Sequence, residues 1–361
     1  MEHKMELQPF TFDGVSTKRP LVMAGPCSAE SEEQVLETAR RLVKQDIKIF
    51  RAGIWKPRTR PGQFEGHGST ALPWLKAVKE QTGMYTATEV ANAKHVYEAL
   101  KWGVDILWVG ARTTANPFSV QEIADALRGV DIPVMVKNPV NPDLELWIGA
   151  LERLYNSGIT RLAACHRGFS IFEKKDFRND PNWQIPIAMK TKFPNMPIIT
   201  DPSHICGNRT GLFSVSQTAM DLNFDGLIIE THPDPDKAWS DAKQQITPEA
   251  LGELLSKLVI REAEEKTGSD THTLEELRVQ IDKIDDSVLD IFENRMKVAD
   301  KIGQYKKEHN LAILQSKRWD EIVNKRIAMG AKKQLSQEFI EVVFKAIHQE
   351  SINHQTKIMN S

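Results

Sequence analysis

Short apolar runs recur along most of the chain, and stretches with helical spacing separate them. The runs are LVMAGPCS from Leu21, IKIFRAG from Ile47, MYTATEV from Met84, ILWVGAR from Ile106, PVMVKNP from Pro133, RLAACHRG from Arg161, PIITDPSH from Pro197 and GLIIETH from Gly226. Strands that alternate with helices pair in parallel through right-handed crossovers, and eight units close a barrel. The pattern therefore predicts an α/β fold, a (β/α)8 TIM barrel, with a doubly wound open sheet as the alternative.

The composition of the chain changes after Ile260. The segment REAEEKTGSDTH is charged and then contains Gly-Ser, which is typical of a linker or a frayed helix end. From there to the end the chain contains no proline and two glycines. We predict a barrel over 1–262, a linker over 263–272 and an all-α domain over 273–361.

One long helix is predicted to open the second domain, where Thr273 and Glu276 have the form of a capping box. Apolar residues follow at steps of three and four, interrupted by Arg295, and we call them the seam: Leu274, Leu277, Ile281, Ile284, Val288, Ile291, Val298, Ile302 and Tyr305. Two more helices are expected near 316–329 and 336–358. Because a domain of about 90 residues covers such a seam poorly, we also expect a second subunit, hence a homodimer.

Charge and composition exclude several classes of protein. Of the 361 residues 40% are hydrophobic and 27% charged, which is typical of a globular protein, and no run approaches the ~20 apolar residues of a membrane span. The first residues lack the features of a secretory signal, so we expect a cytoplasmic protein. A net charge of -2 gives no general field for nucleic acid. Three cysteines, an odd number, favour reduced thiols.

Each predicted strand ends in a polar side chain. These are Cys27, Arg51 with Lys56, Glu89, Arg112, Lys137, Arg167, His204 and Glu230. In a barrel the carboxyl ends of the strands converge on one face, where active sites lie. We therefore predict that these residues form one pocket.

Five of these strand-end residues are cations, namely Arg51, Lys56, Arg112, Lys137 and Arg167. Such a cluster repels itself unless anions neutralise it, and arginine suits phosphate and carboxylate. Arg58 and Thr59, on the loop after Lys56, add donors for a second phosphate. Two phosphorylated ligands are predicted.

The remaining strand-end groups include potential metal ligands. Cys27, His204 and Glu230 offer a thiolate, an imidazole and a carboxylate, and Asp241 can supply a fourth ligand. This mixed set suits a divalent transition metal, and Mn, Fe, Co and Zn are all compatible with it. Taken singly, a cysteine such as Cys27 is more often a buried apolar thiol, and an aspartate such as Asp241 is more often a helix cap. A metal beside a cationic pocket predicts Lewis-acid activation of a carbonyl.

The motifs in the barrel resemble those of type I 3-deoxy-D-arabino-heptulosonate-7-phosphate (DAHP) synthases, in the branch closer to the octulosonate synthases. They are GPCS at 25–28, FRAGIWKPRT at 50–59, GAR at 110–112, VKN at 136–138, HRG at 166–168, DPSH at 201–204 and ETHPDPDKAWSD at 230–241. The KPRT motif favours the heptulosonate enzymes, and an octulosonate-8-phosphate synthase is the alternative. The resemblance implies condensation of phosphoenolpyruvate with erythrose 4-phosphate, with release of phosphate.

The resemblance also implies a role for each group. Phosphoenolpyruvate would be held by Arg51, Lys56, Arg112, Lys137 and Arg167, and the phosphate of the aldose by Arg58 and Thr59. The metal ligands would be Cys27, His204, Glu230 and Asp241. Lys56 would deliver a proton to the new alkoxide, and Glu89 would position the attacking water.

The second domain resembles the all-helical chorismate mutases. LRVQID, ENRM, GQYKK and ESINHQ carry the similarity, over about 273–358. It implies that Arg278 of a partner subunit and Arg295 bind the two carboxylates of chorismate, while Lys306 and Gln355 donate to the ether oxygen as prephenate forms. Arg318 and Ser351 would join this site.

The second domain also departs from the mutase pattern. Many mutases have carboxylates where this chain has Gln315 and Trp319, with Asp320 as a possible substitute. The alternatives are a non-catalytic sensor of chorismate or prephenate and a module that only dimerises the barrel. We predict both catalysis and feedback inhibition of the barrel.

Overall fold

The structure, a computed structural model, describes residues 5–57, 62–170, 177–261, 271–314 and 316–360, and beyond 270 it describes side chains for 274–314 and 324–360. The chain divides into two compact units, Met1–Ala263 and Glu264–Ser361. The predicted linker falls almost entirely outside the described residues. None of the described helices combines the length and the apolar character that a membrane span requires.

A closed barrel of parallel strands forms the first unit. In the described residues its strands, in barrel order, are β1 Leu21–Gly25, β2 Ile49–Arg51, β3 Tyr85–Val90, β4 Ile106–Val109, β5 Val134–Lys137, β6 Leu162–His166, β7 Ile198–Thr200 and β8 Gly226–Glu230. β8 pairs with β1 from Leu21↔Gly226 to Gly25↔Glu230, which closes the sheet. The predicted barrel is confirmed, and the open sheet is wrong.

Helices follow the strands in the alternation that the sequence predicts. They are α1 Glu32–Val43, α2 Leu72–Thr82, α3 Ala93–Lys101, α4 Ala111–Thr114, α5 Pro117–Ala126, α6 Leu144–Asn156, α7 Gln184–Lys192, α8 Pro202–Cys206, α9 Leu212–Asp221 and α10 Pro248–Lys257. Ser31, Asn92 and Asp143 cap α1, α3 and α6 with their side-chain oxygens. The short α4 and α8 begin directly after β4 and β7, at the face where the predicted pocket lies.

The interior of the barrel is filled with side chains. Alternate residues of the strands form this inner cluster, among them Met23, Ile49, Ala87, Ile106, Trp108, Met135, Ala163, Cys165, Ile199 and Ile228. Phe10 joins the cluster and packs on Phe12, which contacts Tyr85 at the start of β3, so this segment closes the amino-terminal end. Because strand side chains alternate, the residues two positions after an inner one also point inward. Five such positions at the carboxyl ends carry charged side chains: Arg51, Glu89, Lys137, Asp201 and Glu230.

The described residues of the second unit form three helices, as predicted. They are α11 Thr271–Glu308, α12 Ser316–Ala331 and α13 Gln337–Asn360, and α13 packs against both others. α11 begins two residues before the predicted cap at Thr273, which is within the usual variation of a helix end. Every seam residue is exposed in the single chain, from 37% for Val288 to 63% for Ile291.

Candidate active site

A polar cleft lies at the carboxyl ends of the barrel strands. Its described lining is Lys56, Pro57, Gln63, Glu89, Ala111, Arg112, Lys137, Arg167, Arg178, His204 and Asp241. The structure thus brings seven predicted site residues to one cleft. Three more predicted residues, Cys27, Arg51 and Glu230, are buried against it. Arg58 and Thr59 lie outside the described residues.

Three potential metal ligands lie close together at one side of the cleft. One ligand atom each of Cys27, Glu230 and Asp241 lies within 4.8 Å of the others. Cys27 Sγ is 3.3 Å from Asp241 Oδ2. His204, the fourth predicted ligand, has Nε2 3.7 Å from Glu230 Oε1. A thiol, two carboxylates and an imidazole are a donor set that fits a divalent transition metal.

Asp201, which was not among the predicted site residues, orients His204. Asp201 is the N-cap residue of α8, and its Oδ1 accepts a hydrogen bond from the His204 backbone N–H at 3.1 Å. Asp201 Oδ2 lies 2.8 Å from His204 Nδ1. Burial would raise the pKa of Asp201, but His204 and Lys137 outweigh it and hold the pKa well below its usual range. An ionised carboxylate beside Nδ1 favours the tautomer whose Nε2 carries the lone pair that a metal needs.

Glu230 is fully buried and has a partner for each oxygen. Arg51 Nη1 is 2.9 Å from its Oε1, and Gln244 Nε2 donates to its Oε2 at 2.7 Å. Burial raises the pKa of this carboxyl, but His204, Arg51 and Lys56 outweigh burial and lower it to about 2. Glu230 is therefore ionised at neutral pH, and Arg51 balances its charge.

Arg178 is a second residue that the sequence did not single out. Its Nη1 donates to Asp241 Oδ1 at 2.9 Å and to Gln244 Oε1 at 2.7 Å. Asp241 adopts a left-handed backbone, with φ of 49°. Burial would raise its pKa, but Arg178, His204 and Lys56 outweigh burial and lower it. Arg178 thus holds Asp241 in the orientation that faces Cys27.

The cleft is also lined by cations, among them Lys137, Arg167 and Arg112. Lys137 is buried and its Nζ is 2.8 Å from Asp201 Oδ2. Burial lowers the pKa of Arg167 to about 10. Asp201 raises this pKa, whereas the like charges of Arg178 and Arg112 lower it further. An anion in the cleft would relieve this repulsion, so the site is suited to a phosphate or carboxylate.

A second cluster of predicted site residues lies between α11 and α13. Arg295 Nη1 donates to Ser351 Oγ, and Gln355 Nε2 donates to the Ser351 carbonyl at 3.2 Å. Lys306 Nζ donates to the Ile313 carbonyl at 2.6 Å. Burial lowers the pKa of both Arg295 and Lys306, and Arg326 adds to the effect on Arg295. Gln355 Oε1 is buried without a partner among the described residues.

Arg278 is not part of this cluster within one chain. It is exposed and pairs with Glu275 at 3.4 Å. Arg295 lies seventeen positions further along the continuous helix α11, which corresponds to about 26 Å at 1.5 Å per residue. Arg318, as well as Gln315 and Trp319, lies outside the residues whose side chains are described.

Comparisons with known proteins agree with this division of the chain. Residues 12–265 match the model of the DAHP synthetase I family, and residues 277–356 match that of chorismate mutase type II. A phospho-2-dehydro-3-deoxyheptonate aldolase of Thermotoga maritima is 34% identical over 237 residues, which cover 66% of this chain and 68% of the relative. A 2-dehydro-3-deoxyphosphooctonate aldolase of Legionella pneumophila is 27% identical over 267 residues, covering 68% of this chain and 93% of the relative.

Solved structures give the same result for the barrel. A crystal structure of the DAHP synthase of Thermotoga maritima has 30% identity and a TM-score of 0.62, and the match covers 70% of this chain and 72% of that one. A truncated form of the Thermotoga maritima enzyme has 29% identity and a TM-score of 0.60, and the match covers 70% of this chain and 90% of that one.

Proposed function

Because the chain belongs to the DAHP synthetase I family, we propose that its barrel condenses phosphoenolpyruvate with erythrose 4-phosphate to DAHP and inorganic phosphate. The observation that carries this proposal is the cleft that brings several cations and a cluster of potential metal ligands together. Phosphoenolpyruvate has a phosphate and a carboxylate to pair with the cations, and the aldehyde of the aldose needs polarisation before a carbon nucleophile attacks it.

The cations would divide between the two substrates. Arg112, Lys137 and Arg167 would bind phosphoenolpyruvate, and Lys56 would complete its site. Arg51 would contribute its positive charge from the buried position against Glu230. The aldose phosphate is assigned to Arg58 and Thr59, which follow Lys56 closely in the sequence.

The metal would be held by Cys27, His204, Glu230 and Asp241. Their donor chemistry suits Mn, Fe, Co or Zn, and Asp201 and Arg178 orient two of the four. When bound, the ion polarises the aldehyde of erythrose 4-phosphate. Burial and Glu230 raise the pKa of the Cys27 thiol to about 12, so metal binding must displace its proton.

Two residues would handle protons and water during the reaction. C3 of phosphoenolpyruvate attacks the aldehyde carbon, and the carbonyl oxygen becomes an alkoxide. Lys56 Nζ lies 3.1 Å from Cys27 Sγ, at the boundary of the cations and the metal ligands, and would protonate that alkoxide. The attack leaves a cation at C2, to which water oriented by Glu89 adds, and the proton that the water loses replaces the one donated by Lys56. The C2–O bond to phosphate then breaks as the C2 hydroxyl becomes a ketone and gives its proton to the departing phosphate.

The test compares two aldoses with the purified full chain. Loss of phosphoenolpyruvate and release of phosphate are followed with erythrose 4-phosphate and with arabinose 5-phosphate. We expect turnover with the first, its loss on chelation, and its recovery with added Mn²⁺ or Zn²⁺. Preference for arabinose 5-phosphate would favour an octulosonate synthase, and full activity after chelation would contradict the metal assignment.

For the helical domain we propose rearrangement of chorismate to prephenate in a homodimer. Arg295 and Ser351 lie together, with Gln355 one turn further along α13, and would bind one substrate end. Lys306 and Gln355 would donate to the ether oxygen, where negative charge develops. Arg278 would come from the partner subunit, since about 26 Å of helix separates it from Arg295 in its own chain. Arg318 would contact the same substrate.

We also propose that prephenate or chorismate bound there inhibits the barrel. Joining an early and a late step of one pathway makes such feedback useful. The test measures loss of chorismate, and then the condensation rate with and without prephenate, on the same preparation. Inhibition without mutase activity would support the sensor alternative, and activity without inhibition would contradict feedback. If neither mutase activity nor inhibition is found, the domain would serve only as a dimerisation module.

A further inference from the structure

Trp108 lies at the centre of the charged residues under the cleft. It is fully buried inside the barrel, on β4. Its indole Nε1 donates to Glu89 Oε2 at 2.9 Å. The guanidinium carbon of Arg51 is 4.9 Å from the ring centroid, and Lys137 Nζ is 5.7 Å from it. One side chain therefore contacts a carboxylate and two cations.

The charge distribution of an indole matches these three neighbours. The faces of an aromatic ring are negative and attract cations, whereas its edge and its N–H are positive. Arg51 and Lys137 lie over the ring, and Glu89 meets the N–H. Trp108 can thus stabilise both cations and the carboxylate at the same time.

Glu89 is also confined from a second direction. It is the register partner of Trp108 in the β3–β4 pair, so the two side chains are neighbours. On the other side, a Cβ added to Gly110 would lie 2.2 Å from Glu89 Oε1. The carboxylate is therefore fixed between the indole N–H and the backbone of Gly110, with little freedom to rotate.

We propose that Trp108 is a positioning residue of the condensation site, and this inference rests on the proposed function. Its N–H fixes the Glu89 carboxylate that orients the water, and its ring holds Arg51 and Lys137 in place. The first contact bears on turnover and the second on binding of phosphoenolpyruvate. The two contacts can be separated by substitution.

The test uses Trp108→Phe and Trp108→Leu in the full chain with its metal. Trp108→Phe keeps an aromatic face and removes the N–H, so we expect kcat to fall about tenfold or more while KM for phosphoenolpyruvate stays within about twofold. Trp108→Leu removes both, so KM should also rise by roughly two- to thirtyfold. A Trp108→Phe enzyme with native kcat would overturn the inference.

A matched control separates positioning from stability. Trp147 is also fully buried, and its Nε1 donates to the Val136 carbonyl at 3.0 Å, outside the barrel interior. Trp147→Phe should lower the melting temperature about as much as Trp108→Phe, but leave kcat unchanged. Equal losses of kcat in the two variants would mean that Trp108 is merely structural.

A double-mutant cycle with Glu89→Gln tests the route of the effect. If Trp108 acts through Glu89, adding Trp108→Phe to Glu89→Gln should lower kcat little further. Independent, multiplying losses would overturn the inference. If the native chain condensed neither aldose, the proposed function would fail, and calorimetry with phosphoenolpyruvate would then decide the inference: Trp108→Leu must bind more weakly than Trp108→Phe.

Discussion

Oδ2 of Asp201 lies 2.8 Å from Nδ1 of His204. The side chain that carries this contact also caps α8 and accepts from Lys137. One buried carboxylate thus connects a proposed metal ligand with a proposed substrate cation. Replacing it should affect both sides of the cleft.

We expect Asp201→Asn to weaken metal binding. A neutral amide no longer favours the Nδ1–H tautomer of His204, and loss of such an outer carboxylate typically costs 10–100-fold in affinity. Titration of chelated protein with Mn²⁺ or Zn²⁺ by calorimetry measures this. Asp143→Asn is the control, since Asp143 caps α6 in the same way, by accepting from Leu146 N–H at 2.9 Å. Similar affinities for both variants would contradict the role given to Asp201.

The strand pattern predicts much of this site, and its limits are physical. Strand alternation places Arg51, Glu89, Lys137 and Glu230 inside the barrel, and it would have added Asp201, two residues after Ile199. The glycine at position 25, at the end of β1, is required by packing, because a Cβ there would lie 2.0 Å from the Arg51 carbonyl oxygen. The alternation says nothing about which charged groups pair.

Arg178 shows where the sequence gives no signal. It lies between β6 and α7, outside any helix or strand, so no periodicity assigns it a direction. Its contact with Asp241 depends on two loops that are 63 residues apart. Trp108 was hidden for another reason, because a tryptophan in an apolar strand looks like ordinary core.

The stability of the barrel should depend on the ionisation of His166. This ring is fully buried, and its Nε2 is 2.6 Å from the Pro181 carbonyl, while Nδ1 has no partner among the described residues. Burial lowers the pKa of His166 to about 4. In the unfolded chain the pKa of this histidine is near 6.5, so between pH 6.5 and 4 the unfolded state binds a proton that the folded state does not. The free energy of unfolding is therefore highest above about pH 6.5 and decreases as the pH falls toward 4.

His166→Gln provides the comparison for this effect. Glutamine keeps an N–H donor and does not titrate. Between pH 6.5 and 4 the free energy of unfolding of the native chain should therefore fall by up to about 3 kcal/mol more than that of the variant. Seven of the eight tryptophans precede residue 262, so tryptophan fluorescence follows unfolding of the barrel. Parallel pH profiles for the two proteins would show that His166 is not responsible.

The exposed seam of α11 predicts dimerisation. Ile291 belongs to the seam and is 63% exposed in the single chain, whereas Leu289 is 65% exposed but lies off the seam. A carboxylate buried in a dimer interface lacks a partner, so Ile291→Asp should give monomers, whereas Leu289→Asp should stay dimeric. Light scattering after gel filtration measures the mass. A monomeric native chain would exclude the dimer outright.

Mixed dimers test whether each mutase site takes Arg278 from one chain and Arg295 from the other. Arg278→Ala and Arg295→Ala should each lower mutase activity by at least about a hundredfold, because a carboxylate of chorismate loses its cation. In a random mixture of the two chains half of the dimers are mixed, and each mixed dimer has one intact site, so about a quarter of the native activity should return.

The control mixture is Arg295→Ala with Gln355→Leu. Arg295 and Gln355 both contact Ser351 within one chain, so this mixture contains no intact site and should stay inactive. No recovery in the first mixture would mean that the partner subunit does not supply Arg278, and recovery in the control would contradict the assignment of Arg295 and Gln355 to one chain.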